Sequence, residues 1–213
     1  MTGMAPFAIP NMACAFHLAD VLDYSGNSRS LTAGGAVYWL LGKHGNCVDL
    51  QGSSYLYRSD NGGINLANDY TMTLWIKVLT PPSSGLVASF FVQNRINGGR
   101  YHQFSYMNIS GTLQVRLYNT GTDQRWITTL PLDKWYFCVV RNQSDVLELW
   151  MNGNHVLTSS KGSTNSTTTE FTIGGSSLGY NLTGRIDEFT LIPTALTNQQ
   201  IRRLNAFQLG RFD

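Results

Sequence analysis

The chain has 213 residues, a formal net charge of +2 and only 13% charged residues, about half the usual share. That length supports one sizeable core, while the small charge and the missing Lys/Arg run exclude an electrostatic nucleic-acid binder. Glu occurs at Glu148, Glu170 and Glu188 alone, and Gly, Ser, Thr and Asn are abundant, a composition that favours strands and turns over helices.

Residues 1–12 contain Pro6 and Pro10, which exclude a regular helix. They read as an extended arm with Met4, Phe7, Ile9 and Met12 as its apolar side chains. The prolines and the lack of a basic flank argue against a signal peptide. No run approaches the ~20 apolar residues of a membrane span. The expectation is a soluble chain without an export signal, in which the arm precedes one domain over 13–213.

Short strand-like runs follow at 13–18, 47–50, 55–58, 72–78, 86–93, 102–109, 113–118, 135–141, 146–151, 155–158, 171–173 and 183–191. Turn residues separate them, and this spacing predicts a sandwich or jelly roll. Asn152-Gly153 supplies the positive φ angles of a tight hairpin. Ser110-Gly111 sits between two runs in the same way, and 161–169 is a polar loop. Run 135–141 is apolar at both parities, so both of its faces are covered. In run 102–107, His102, Phe104 and Tyr106 share one face, and Gln103, Ser105 and Met107 the other.

Cys14, Cys47 and Cys138 are too few and odd in number for a closed disulfide framework. Buried free thiols are expected, and a Cys14–Cys47 bridge is the alternative if their strands are neighbours. One helix stands out near the end. Thr197 as N-cap with Gln200 three residues later forms a capping box, and Leu196 and Ile201 have hydrophobic-staple spacing. Ile201 and Leu204 give it one apolar face to pack on the sandwich.

Catalytic signals are weak. Asp187 and Glu188 are adjacent, and neighbours on a strand point to opposite faces, so they cannot flank one glycosidic bond as paired carboxylates must. Gly175–Gly179 matches G-x-S-x-G around Ser177, but a loop and a strand follow where a nucleophile elbow needs a helix. His17, His44, His102 and His155 show no zinc spacing.

Four stretches, in this order, carry a resemblance: "FHLADVLDYSGNSRSLTAGG" from Phe16, "DYTMTLWIKV" from Asp69, "LPLDKWYFCVVRNQSDVLELWMNGNHV" from Leu130 and "GRIDEFTLIPTALTNQQIRRL" from Gly184. Together they resemble the laminin-G-like jelly roll of the concanavalin A-like lectin/glucanase superfamily. The resemblance implies an all-β fold: a two-sheet antiparallel jelly-roll sandwich with a short C-terminal helix. It also implies that the Ile-Asp-Glu stretch occurs in non-catalytic members, and the carboxylate motif of the family's glucanases, of the Glu-x-Asp-x-x-Glu type, is missing here. A structural calcium shared by the Asp-x-Ser-Gly-Asn loop and the final strand would fall to Asp23, Asn27 and Asp187. The alternative is that Asp23 and Asn27 only build an Asx-type turn.

A carbohydrate site pairs an aromatic platform with hydrogen-bonding side chains. The candidates are Tyr101, Tyr106, Arg116, Tyr118, Arg125 and Trp126, of which Arg116 and Tyr118 share strand parity. The same tyrosines could instead pack neighbouring strands or a protein partner. The expectation is a non-catalytic, surface-exposed virion component, such as a phage decoration or fibre protein, with copies of itself, other virion proteins or a cell-surface glycan as partners. The alternative is a free lectin module, cytoplasmic or released without a signal peptide; a glycoside hydrolase ranks third.

Overall fold

The structure is a computed structural model that describes residues 12, 14–59, 66, 68–94, 102–110, 112–119, 122–127, 130–160, 170–175 and 179–210. The arm over 1–11, the 161–169 loop, Ser177 and Tyr101 lie outside those residues. The strands are β1 (Cys14–Phe16), β2 (Thr32–Gly34), β3 (Tyr38–Leu41), β4 (Asn46–Gln51), β5 (Tyr55–Arg58), β6 (Tyr70–Thr80), β7 (Val87–Asn94), β8 (His102–Ile109), β9 (Thr112–Asn119), β10 (Thr122–Ile127), β11 (Trp135–Gln143), β12 (Val146–Met151), β13 (Asn154–Ser160), β14 (Glu170–Ile173) and β15 (Thr183–Ile192). One helix follows, α1 (Asn198–Gly210).

The strands form two sheets. The first runs β13-β12-β11-β6-β15-β4-β3, with β1 added to β15; the second runs β10-β9-β8-β7-β14-β5-β2. Every pairing is antiparallel. The fold is the expected jelly-roll sandwich with a C-terminal helix.

Period-2 alternation builds the core. Met72, Leu74 and Ile76 of β6 face Phe104 and Tyr106 of β8 and Val115 and Leu117 of β9 within one buried cluster. At its centre Phe171 lies 5.2 Å from Phe91 and 5.5 Å from Phe189, ring centroid to centroid, distances at which tilted rings attract. Gly174 lets the backbone pass close here: its φ is +78°, and a Cβ would stand 1.9 Å from Leu50 Cδ1.

Strand β11 is covered on both faces, as its double apolar parity requires. Cys138 and Val140 enter the main core. Phe137 and Val139 lie on the outer face under α1, where they join Trp75, Trp150, Ile201 and Leu204. The cap is built as the sequence predicts: Thr197 N–H donates to Gln200 Oε1 at 2.8 Å, and Gln200 N–H to Thr197 Oγ1 at 3.2 Å. Cys47 and Cys138 are buried free thiols, so Cys47 does not bridge to Cys14.

Candidate functional site

The second sheet turns one face away from the core, and β7, β8 and β9 place polar side chains there. Register puts Ser89 beside Ser105, Ser105 beside Arg116 and Gln103 beside Tyr118. Alternation gives the reason: Phe104, Tyr106, Val115 and Leu117 take the core positions, so the residues between them face outward. Gln103 Nε2 donates to Ser89 Oγ at 2.5 Å, and Arg116 Nη1 to Gln103 Oε1 at 3.4 Å. The Arg116 guanidinium carbon lies 4.3 Å from the centroid of the Tyr118 ring, within the range of cation–π attraction.

This polar face is poorly hydrated. Ser89 and Ser105 are fully buried, and Gln103, Gln114 and Arg116 nearly so. Ser105 Oγ and Gln114 Oε1 are buried without a hydrogen-bond partner. Such atoms cost free energy unless water or a ligand satisfies them. Gln103 and Tyr118 also reach a void of about 10 Å³, room for about one water molecule, whose other walls are core side chains of both sheets, among them Tyr70, Met72, Phe91, Val140 and Leu147.

The expected carbohydrate residues separate in the structure. Arg116 and Tyr118 sit together on the outer face. Arg125 stands opposite Arg116 in the β9–β10 register. Trp126 stands opposite Val115 in the same register, and the side chains of Arg125 and Trp126 lie outside the described ones. Tyr106 is corrected: it is fully buried within the main core, so its ring cannot serve as a platform for a sugar. The parity of the 102–107 run was right, but both of its faces carry large or polar residues, and the sequence does not say which one is inward. Ser89, Gln103, Ser105 and Gln114 were missed, because small polar residues in a Ser/Thr-rich chain carry no signal of their own.

The carboxylates of the final strand lie elsewhere, on the first sheet. Asp187 is fully buried; its Oδ2 accepts the N–H groups of Lys43 and His44, each at 2.9 Å. The turn over it needs Gly42, where a Cβ would stand 2.5 Å from Asp187 Oδ2. Asp187 Oδ1 is buried without a partner. Desolvation pushes the pKa of Asp187 up to about 7, partly offset by the His44 and Lys43 N–H groups. Glu188 breaks the strand alternation: its φ is +51° at a bulge in the β15–β6 pairing. Its Oε1 lies 2.9 Å from His17 Nδ1. The two carboxylates therefore serve different partners, as expected of a structural pair.

The expected calcium ligands Asp23 and Asp187 accept hydrogen bonds from different segments. Asp23 accepts the N–H groups of Ala15, Ser25 and Arg29 at 3.1, 2.9 and 2.9 Å. Burial works to raise its pKa, but these three bonds outweigh it and hold the carboxyl below its ordinary value. Asn27 Nδ2 donates to Met12 O and Ser25 Oγ at 2.9 and 3.0 Å. Both residues thus organise the 23–29 turn. Among the described residues no three His, Cys, Asp or Glu side chains are grouped to hold an ion. Asp23 and Asn27 are engaged within the turn, while Asp187 Oδ1 is an oxygen without a partner.

Comparison with known proteins adds the following. The family described as the concanavalin A-like lectin/glucanases superfamily matches residues 50–202. No curated protein matches the chain in sequence. Among solved structures, domain 4 of AbnA, a GH43 extracellular arabinanase from Geobacillus stearothermophilus in complex with arabinotriose, is similar with a TM-score of 0.74 and 18% identity, covering 91% of this chain and 98% of that one. The binding domain of Paraclostridial Mosquitocidal Protein 1 gives a TM-score of 0.66 and 19% identity over 92% of this chain. The receptor binding domain of botulinum neurotoxin D gives 0.69 and 14% over 93%. This chain spans about half of those two toxin chains, 52% and 53% respectively. At these identities the likeness is one of fold.

Proposed function

The chain belongs to the concanavalin A-like lectin/glucanases superfamily, and from that premise we propose that it is a non-catalytic binding protein whose ligand is a carbohydrate. One observation carries this reading: Arg116 stacked on Tyr118, among buried polar atoms without partners on the outer face of the second sheet. A sugar ring offers its apolar face to the half-buried Tyr118 ring and its hydroxyls to polar groups at the rim of that ring, which is how small polar ligands are oriented. Three structural neighbours point the same way: a GH43 domain in complex with arabinotriose, and two toxin binding domains. Glu148 pairs with Arg141, Asp49 with Arg185, and Asp187 accepts the Lys43 N–H, which supports structural roles for these carboxylates.

The finer reading is a surface component of a virus particle, a decoration or fibre protein that touches host glycans or neighbouring subunits. Its support is the low charge of the chain and the apolar side chains at Met4, Phe7, Ile9 and Met12. A free lectin module is the second reading, supported by the same Arg116–Tyr118 face.

The deciding experiment is a glycan-array screen of the purified protein in calcium and again in EDTA. Specific binding in both buffers is expected. Binding lost in EDTA would return calcium to the site. No binding in either buffer, from folded protein, would overturn the carbohydrate reading.

A further inference from the structure

The first sheet ends in an edge strand of unusual character, and we propose that β3 is an interface at which two copies of this chain pair edge to edge about a two-fold axis. The strand reads Tyr38-Trp39-Leu40-Leu41, with no charge and no proline. Natural edges usually carry lysine, proline or a bulge to prevent pairing with another chain. Here Tyr38, Leu40 and Leu41 are exposed at 53%, 42% and 78%. Among the described residues β3 has one strand partner, β4. On the opposite flank β10 and β13 lie against each other, which protects those edges.

The backbone favours a second copy as the occupant. Gly42 N–H donates to Gly45 O at 2.7 Å, closing the β3–β4 turn. Antiparallel bonding alternates from that pair outward. The N–H and C=O groups of Leu40 and Tyr38 therefore face β4, through their register with Cys47 and Asp49. Those of Trp39 and Leu41 face away. A two-fold axis at Leu40 sets Trp39 of each copy against Leu41 of the other, with all four outward groups bonded. The same register lays Leu40 on its symmetry mate and sets Tyr38 opposite Gly42. Leu41, the most exposed of the four, would then cover the half-buried Trp39. A single self-complementary segment thus satisfies both copies, as an isologous contact requires.

Area decides the strength. The three exposed side chains offer on the order of 300–400 Å² per copy, about half of a standard interface. The association is weak and concentration-dependent. It stands apart from the polar face of the second sheet, and its test does not read ligand binding.

The test is sedimentation equilibrium of the full chain over a wide concentration range. The expected result is a reversible monomer–dimer equilibrium. Leu40→Lys sets two ammonium groups together on the axis, and Leu41→Pro removes an outward N–H without touching a β3–β4 bond. Each should weaken dimerisation by about tenfold or more with an unchanged far-ultraviolet spectrum and Tm. Residue-level hydrogen exchange adds a second readout: the amides of Trp39 and Leu41 should slow as concentration rises, while Leu40 stays constant. A chain that remains monomeric at millimolar concentration overturns the proposal. So does association that both variants leave intact, or association that depends only on residues 1–12.

Discussion

Arg116 and Tyr118 lie two residues apart on β9 and stack on the outer face of the second sheet, the guanidinium carbon 4.3 Å from the ring centroid. Arg116 is nearly buried, and its Nη1 also donates to Gln103. The ring is thereby held in one orientation. A platform fixed before binding loses little entropy when a ligand arrives.

Truncating that ring tests the site directly. Tyr118→Ala should weaken glycan binding by about tenfold or more, on the order of 1–2 kcal/mol, because both the stacking face and the support of Arg116 are lost. The half-buried ring lies at the sheet surface, so Tm should fall by only a few degrees. Calorimetric titration with a glycan found on the array checks the affinity. Unchanged binding by the folded variant would move the site away from β9.

The features that were legible in the sequence are those that short-range geometry dictates. The Thr197–Gln200 box and the Asn152-Gly153 hairpin need only a few residues each, and the φ angles of +47° and +78° at the hairpin confirm it. Strands β8 and β12 fall at the expected bounds, since alternation and flanking turns mark both ends. Strands β2, β3 and β10 were not foreseen. The first has three residues, β3 shows no alternation, and β10 reads as polar. The Lys43 and His44 N–H groups that Asp187 accepts, and the Arg185 side chain that pairs with Asp49, come from segments far away in the chain, so nothing in the local sequence announces them. The same holds for the outer polar face, which forms only when β7, β8 and β9 pair.

Asp187 gives stability an unusual dependence on pH. Its folded pKa is raised to about 7, above the ~3.9 of an unfolded aspartate. The native state therefore binds the extra proton between those values, and this contribution to stability is complete below pH ~4 and lost as pH rises through 7. Asp187→Asn keeps an acceptor for the Lys43 and His44 N–H groups without the buried charge. The variant should have a higher Tm than the parent at pH 8 and a similar one at pH 4. Thermal melts in EDTA across that range check the sign. The same melts in calcium should match them, and a calcium-dependent rise that the variant lacks would make Asp187 a ligand.

Arg141 and Glu148 form the ion pair beneath the entry to α1. Arg141 Nε donates to Glu148 Oε2 at 2.6 Å and Nη1 to the Leu196 carbonyl at 2.6 Å, and its side chain is 6% exposed. Removing one partner strands a buried charge, so Glu148→Ala should cost about 3–5 kcal/mol. Replacing both, as Arg141→Met with Glu148→Leu, should recover much of the loss, because two apolar side chains need no mutual compensation. Urea unfolding of the three proteins measures it. A double variant as unstable as the single one would show that the bond to Leu196 O is the larger contribution.

The cap at Thr197 makes a separate contribution at the other side of the same junction. Thr197 Oγ1 accepts the Gln200 N–H, and Gln200 Oε1 accepts the Thr197 N–H, so two otherwise orphaned donors are satisfied together. Thr197→Ala removes the first bond and should cost about 1 kcal/mol. Helix α1 covers Trp75 and Trp150 through Ile201 and Leu204, and Gln208 accepts the Trp75 indole N–H at 3.3 Å. Fraying at the cap would loosen that cover before the sandwich opens. The expected signature is a red shift of tryptophan emission at denaturant concentrations below the main transition, paired with retained strand signal in circular dichroism. A single coincident transition, shifted by the same 1 kcal/mol, would mean that α1 unfolds only together with the sheets.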